Sequence, residues 1–128
     1  MMKVLLLVTG GAIGTLVRYG VSMWVQRSLP HSFPFGILSV NVTGSFLIGF
    51  CWSLAESSNL PVPLRMFLFT GLFGGFTTFS SFALDSVILM KTGAYKLTFL
   101  NIFASNILGL IAVFVGLALG KYIMTLIK

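Results

Sequence analysis

The segment from Thr70 to Phe82 combines glycine, hydroxyl and phenylalanine side chains inside an apolar stretch, and its sequence is TGLFGGFTTFSSF. Each glycine in a helix is unfavourable by roughly 1 kcal/mol relative to alanine. If the stretch crosses a membrane, unwound backbone is tolerated only inside protein or beside water. A break there frees carbonyl oxygens that can hold a small cation such as Na⁺. We expect a break. The alternative is a kinked helix whose Ser and Thr side chains bond preceding carbonyl oxygens.

Two phenylalanines of this segment could contact a small anion. Phe79 and Phe82 are three residues apart, so they share one face of a helix that contains both. The edge of an aromatic ring carries partial positive charge, and two edges in a narrow gap could meet an anion without a full countercharge. The alternative is that both rings are lipid-facing bulk, as most of the thirteen phenylalanines must be.

Other polar side chains in apolar stretches need partners. Asn41 offers two amide donors, which either bond a neighbouring helix or meet a permeating species. Asn106 has the same two interpretations, whereas Asn101 is expected to be interfacial because it lies near the start of its stretch. Arg18 either lines a water-filled mouth and attracts anions or extends its charge to the lipid headgroups.

The composition indicates an integral membrane protein. Of 128 residues, 57% are hydrophobic and 8% are charged, with a net charge of +6. So few charges exclude a free-standing soluble enzyme, and the hydrophobicity excludes a disordered chain. The basic residues are dispersed, which excludes a nucleic-acid binder, and the single cysteine excludes a disulfide scaffold. No catalytic constellation is present, so we do not expect an enzyme.

Hydropathy predicts an all-α protein in which residues 1–128 form a single four-helix membrane domain. A spanning helix needs about 20 mainly apolar residues, and the charges divide the chain into spans at about 4–26, 36–56, 66–90 and 97–121. The stretches do not alternate as strands of a barrel would. Small residues recur at four-residue spacing and predict close helix packing. They are Gly10 and Gly14, then Ser45, Gly49 and Ser53, and finally Ala112, Gly116 and Gly120.

The distribution of lysine and arginine gives almost no orientation preference. Four spans put both termini on one side, and the two sides then carry nearly equal numbers of these residues. One side holds Lys3, Arg65, Lys121 and Lys128, and the other holds Arg27, Lys91, Lys96 and, if it reaches that side, Arg18. Insertion in both orientations would allow two copies to pair as an antiparallel, dual-topology homodimer. A single unusual topology is the alternative.

The chain resembles the Fluc (CrcB) fluoride channel family over its whole length, in span number and in motif order. The resemblance is carried by Gly10–Tyr19 (GGAIGTLVRY), by Gly36–Asn41 (GILSVN) with the glycines that follow it, and by Gly71–Phe82 (GLFGGFTTFSSF). It implies an antiparallel homodimer in the cell (inner or plasma) membrane, with two pores for passive fluoride efflux that lowers cytoplasmic fluoride toxicity. It also implies a structural, non-transported Na⁺ at the dimer centre.

The resemblance assigns roles to particular residues of this sequence. It places the Na⁺ on the backbone carbonyls of Gly74 and Thr77, each used by both subunits, in the third-helix break. It places Arg18 in the vestibule. The residues that it assigns to the fluoride pore are Phe79, Phe82, Asn41, Thr78 and Ser81.

Three positions depart from the family pattern, and two other functions remain open. Ser81 stands where Thr is usual, Asp85 stands where Glu is expected, and Leu110 follows Gly109 where many members have Ser, so a hydroxyl of the fourth helix is missing unless Asn106 replaces it. One alternative function is a small multidrug-resistance type of proton-coupled exporter. The other is a non-transporting membrane assembly subunit.

Overall fold

The computed structural model describes residues 1–127, almost all of them helical. Lys128, one of the cations considered above, lies outside the described residues. The elements are α1 (Met2–Ser28), α2 (Phe35–Ser57), α3 (Val62–Arg65), a π-helical segment (Met66–Leu72), α4 (Phe73–Phe76), α5 (Phe79–Lys91) and α6 (Tyr95–Ile127).

The prediction of an all-helical chain with four stretches able to span a membrane is confirmed. These stretches are long and apolar enough to cross a bilayer, and they are Met2–Ser28, Phe35–Ser57, Val62–Lys91 and Tyr95–Ile127. The third stretch contains α3, the π-helical segment, α4 and α5.

Proline and glycine mark the connections between the long helices. Pro34 occupies the residue before α2, and Pro61 occupies the residue before α3. A proline at a helix start sacrifices no hydrogen bond, because the first backbone N–H groups of a helix have no intrahelical acceptor. Gly93 follows α5 with φ of +77°, a left-handed conformation that favours glycine. This residue therefore reverses the chain between α5 and α6.

Arg65 ties the end of α2 to the start of the third stretch. Its Nη2 donates to the Ala55 carbonyl oxygen at 3.0 Å, and its Nε donates to the Leu60 carbonyl oxygen at 3.1 Å. A cation at a helix C-terminus also interacts favourably with the helix dipole. Arg65 is thus a capping residue of α2 in addition to being a charge near one end of the bundle.

Glycine permits two close helix pairings. A Cβ added at Gly10 in α1 would lie 2.7 Å from the Phe67 carbonyl oxygen in the π-helical segment. Similarly, a Cβ at Gly49 in α2 would overlap the Val113 carbonyl oxygen in α6. The close packing predicted from the small-residue spacing is therefore present, with α1 against the third stretch and α2 against α6.

The large apolar side chains point outward to an extent that water would not favour. Leu110 and Phe114 of α6 are 64% and 70% exposed, whereas the most buried large residue, Val40, lies in α2. In a bilayer such side chains meet hydrocarbon, and helices associate through close packing and interhelical hydrogen bonds instead. The distribution fits a protein whose outer surface is covered by lipid or by another subunit.

Candidate functional site

Helical structure is interrupted between α4 and α5. The π-helical segment ends with the Phe73 N–H bonded to the Leu68 carbonyl oxygen, five residues back. The short α4 then ends at Phe76, and the next two residues are extended, with φ/ψ of −87°/158° at Thr77 and −149°/115° at Thr78. π-Helical turns in α-helices are often found at functional sites. The interruption coincides with the glycine- and threonine-rich sequence.

Asn41 of α2 binds both backbone groups of Thr78. The Asn41 Nδ2 donates to the Thr78 carbonyl oxygen at 3.0 Å, and the Thr78 N–H donates to Asn41 Oδ1 at 2.8 Å. Thr78 is only 7% exposed, so these groups have little access to other partners. Of the two interpretations of Asn41, the bond to a neighbouring segment is therefore present, and one N–H of the amide remains for another acceptor.

Thr78 also begins α5. Its Oγ1 accepts a hydrogen bond from the Ser81 N–H at 3.3 Å and donates to Ser81 Oγ at 3.1 Å. A threonine in this position satisfies one of the N–H groups that a helix start leaves free. Thr78 thus ends the extended segment, and its hydroxyl is joined to that of Ser81.

Phe79 and Phe82 form a pair of unequal exposure. Their ring centroids are 5.5 Å apart and the ring planes are inclined at 54°. Phe79 is 76% exposed, whereas Phe82 is buried at 9%. Phe79 borders an open cavity of about 320 Å³ beside the extended segment, and the other lining residues are Asn41, Gly44, Ser45, Ile48, Thr77 and Thr78.

Two carbonyl oxygens beside the interruption have no hydrogen-bond donor among residues 1–127. In an uninterrupted helix the Thr78 N–H would donate to Gly74, but here it donates to Asn41. The Thr77 carbonyl oxygen likewise accepts no hydrogen bond in this part of the chain. Gly74 is exposed. Free carbonyl oxygens of an unwound membrane helix have the donor chemistry that suits Na⁺.

Arg18 lies apart from this cavity. It is a half-buried residue of α1, and within residues 1–127 its guanidinium forms no hydrogen bond or ion pair with another side chain. The structure thus brings together the predicted residues of the second and third spans and leaves Arg18 outside the cavity that they line.

Sequence reasoning missed a second polar contact, between α5 and α6. Asn101 was expected to be interfacial, but it is 2% exposed and its Nδ2 donates to Ser86 Oγ at 3.0 Å. The signal available was the spacing of Thr98, Asn101 and Ser105, which places three polar residues on one face of a helix. Asn106 is exposed, and its amide donates to the Ile102 carbonyl oxygen of its own helix at 2.7 Å.

Comparison with known proteins identifies the family. Residues 5–117 match the family described as "CrcB-like protein, Camphor Resistance (CrcB)". The chain belongs to the CrcB family. The resemblance inferred from the motifs of the first, second and third spans is therefore confirmed, and the matched range contains every residue of the interruption and of the cavity beside it.

Several CrcB relatives carry a functional name. The chain is 70% identical over 128 residues, all of both sequences, to "Fluoride-specific ion channel FluC" of Parabacteroides distasonis. It is 49% identical over 122 residues to the protein of that name from Agrobacterium fabrum, covering 94% of this chain and 98% of the relative. The protein of the same name from Thermus thermophilus is 44% identical over 118 residues, 92% of this chain and 93% of the relative.

Proposed function

We propose that the protein is a fluoride-specific ion channel of the cell membrane that allows passive fluoride efflux and so lowers cytoplasmic fluoride toxicity. The observation that carries this proposal is the interrupted third stretch, where Asn41 holds the extended Thr78 beside the Phe79–Phe82 pair. The 70% identical relative named as a fluoride-specific ion channel supplies the identity of the ion.

The functional unit in this proposal is an antiparallel, dual-topology homodimer, with the break of the third helix near the bilayer midplane. Two features of one protomer support a partner at this face. Phe79 is 76% exposed, and the cavity beside it is open on one side. The nearly equal distribution of lysine and arginine supports insertion in both orientations. Pairing about an axis in the membrane plane would cover the exposed face in both copies.

Fluoride would follow a path along polar groups and aromatic edges. Arg18 would attract the anion into a vestibule. The free N–H of the Asn41 amide and the Ser81 hydroxyl would replace water around it, joined by the Thr78 hydroxyl once that hydroxyl turns away from Ser81 Oγ. The positive edges of Phe79 and Phe82 would then contact the ion. Conduction requires binding that is weak enough for the ion to leave, which ring edges satisfy better than a buried ammonium group would.

A structural Na⁺ would be held by the carbonyl oxygens of Gly74 and Thr77 from both subunits. These atoms fit the role because they accept no hydrogen bond within residues 1–127 and because Gly74 is exposed. The ion would supply positive charge that neutralises the facing carbonyl dipoles at the dimer centre, and it would not be transported. The exporter alternative is not favoured, because α1 contains neither Asp nor Glu.

The test is ion efflux from liposomes that contain only this purified protein, measured with fluoride- and chloride-selective electrodes. Rapid fluoride efflux without chloride efflux is expected. Efflux of both ions would contradict the selectivity, and no efflux from folded protein would contradict the channel function. Repeating the experiment with Na⁺ replaced by a large organic cation tests the cation site, for which loss of fluoride flux is the expected result.

A further inference from the structure

A buried chain of hydrogen bonds runs from α6 to the backbone of Phe82. Asn101 Nδ2 donates to Ser86 Oγ at 3.0 Å, and Ser86 Oγ donates to the Phe82 carbonyl oxygen at 2.8 Å. Asn101, Ser86 and Phe82 are all buried, at 2%, 6% and 9% exposure. Water therefore does not compete for these bonds, and each group depends on the partner that the fold supplies.

The chemistry of the groups fixes the direction of this chain. The Ser86 hydroxyl has one hydrogen, which goes to the Phe82 carbonyl oxygen, so the bond from Asn101 must use a lone pair of Ser86. The two bonds therefore operate in series, and Asn101 acts on the Phe82 backbone only through Ser86. Within residues 1–127 the bond between Asn101 and Ser86 is the only hydrogen bond that joins α5 to α6.

We propose that Asn101 and Ser86 are positioning residues that set the location of the Phe82 ring on the anion path. The inference rests on the proposed function, since it assumes that Phe82 contacts the permeating ion. α5 starts after an extended segment, so its first turn is not fixed by continuity with α4. Asn41 holds the N-terminal end of this turn through Thr78, and the polar contact to α6 one turn after Phe82 limits the rotation and height of its other end.

An ordinary packing bond between two helices would have different consequences. Its loss would lower the number of folded channels and leave each surviving channel unchanged. A positioning role instead predicts a change in the current of each individual channel, because preorganised sites depend on placement within about 0.5 Å. The two roles are therefore separated by unitary current, which does not depend on how many channels fold.

The experiment is single-channel recording of fluoride current in planar bilayers for Asn101→Leu, Ser86→Ala and the double variant. Thr125→Val is the control, since it removes a hydroxyl on α6 at an exposed residue that is bonded only to its own helix. We expect each single variant to lower the unitary fluoride current by about 10- to 100-fold, because a 1 Å misplacement in a preorganised site can cost about 100-fold. The double variant should match either single variant, because the bonds act in series, and the control should match the unmodified protein.

Each result decides a different point. Unchanged unitary current in Ser86→Ala would overturn the inference. A reduction of the current in the double variant equal to the product of the two single reductions would overturn it as well. If Asn101→Leu yields no folded protein, Ser86→Ala decides alone, because it removes a single oxygen atom. Absence of fluoride current from the unmodified protein would overturn the proposed function together with this inference. Normal unitary current in the unmodified protein and in all the variants would overturn this inference and leave the proposed function standing.

Discussion

Asn41→Leu should destabilise the protein by an amount that follows from its two bonds to Thr78. Leucine fills a similar volume but offers neither donor nor acceptor, so the Thr78 N–H loses its partner at 2.8 Å and the Thr78 carbonyl oxygen loses its partner at 3.0 Å. Thr78 is 7% exposed, so water has little access to its N–H or its carbonyl oxygen. An unsatisfied buried backbone group costs roughly 1–3 kcal/mol, so the loss of partners by both Thr78 groups should lower the free energy of unfolding by roughly 2–6 kcal/mol.

The free energy of unfolding can be measured in mixed micelles by denaturant titration, with the fluorescence of the two tryptophans as the signal. Trp52 is a suitable reporter because its ring contacts Phe69 of the third stretch at a centroid distance of 5.2 Å. Asn106→Leu is the control. Its amide is exposed and bonded within its own helix, so its substitution should change stability by less than about 0.5 kcal/mol.

Amide hydrogen exchange tests whether Asn41 protects one particular group, the Thr78 N–H. Its N–H is protected by the bond to Asn41 and should exchange faster in Asn41→Leu, while the exchange of amides within α6 stays unchanged. Equal stability of Asn41→Leu and Asn106→Leu, or unaltered exchange at Thr78, would refute the claim that Asn41 holds the extended segment.

Four further variants test other parts of the structure. Replacing both Phe79 and Phe82 by Ile should abolish fluoride flux from liposomes while the proposed dimer persists in size-exclusion chromatography; full flux would contradict a role for the ring edges. Gly75→Ala should destabilise by about 1–3 kcal/mol in denaturant titration, because its Cβ would lie 2.6 Å from a backbone oxygen. At Gly20 an added Cβ would have no atom within 4 Å beyond its chain neighbours and its own helix backbone, so Gly20→Ala should stabilise by up to about 1 kcal/mol. Equal effects of the two substitutions would contradict the packing argument. Arg65→Met should lower stability by about 3–6 kcal/mol, because it removes two charge-assisted bonds to carbonyl oxygens, and it should leave the unitary fluoride current unchanged.

The helices of this protein could be predicted because lipid imposes strong constraints on sequence. A spanning segment must be apolar and must satisfy its backbone internally, so uninterrupted hydropathy locates it. The positions of charged residues predicted the ends of the helices less accurately. The fourth span was expected over about residues 97–121, yet α6 extends over Tyr95–Ile127. Lys121 does not end the helix, since a long side chain can bring its charge to the headgroups while its backbone stays helical.

The hydrogen-bond partners of the buried amides could not be predicted in the same way. The chemistry of Asn41 required a partner, but the residue that it binds is 37 positions away, and nothing local in the sequence selects it. Asn101 was misplaced for a related reason. Its position near a span end favoured an interface, whereas the close approach of α5 and α6 buries it. Such partners depend on how helices cross, which hydropathy does not encode.

Asn41 connects the two ion sites of the proposed channel. If the third helix continued through Thr78, that residue's N–H would donate to the Gly74 carbonyl oxygen. The Asn41 Oδ1 accepts this N–H instead, which leaves the oxygen of the exposed Gly74 free. The same amide retains one N–H for the cavity beside Phe79. One side chain thus both frees an oxygen that the Na⁺ would need and offers a donor to the anion. Substitution of Asn41 should therefore weaken both the fluoride flux and the stabilisation of the protein by Na⁺ in denaturant titration, whereas the Phe79 and Phe82 substitutions should abolish the flux and leave the stabilisation by Na⁺ unchanged.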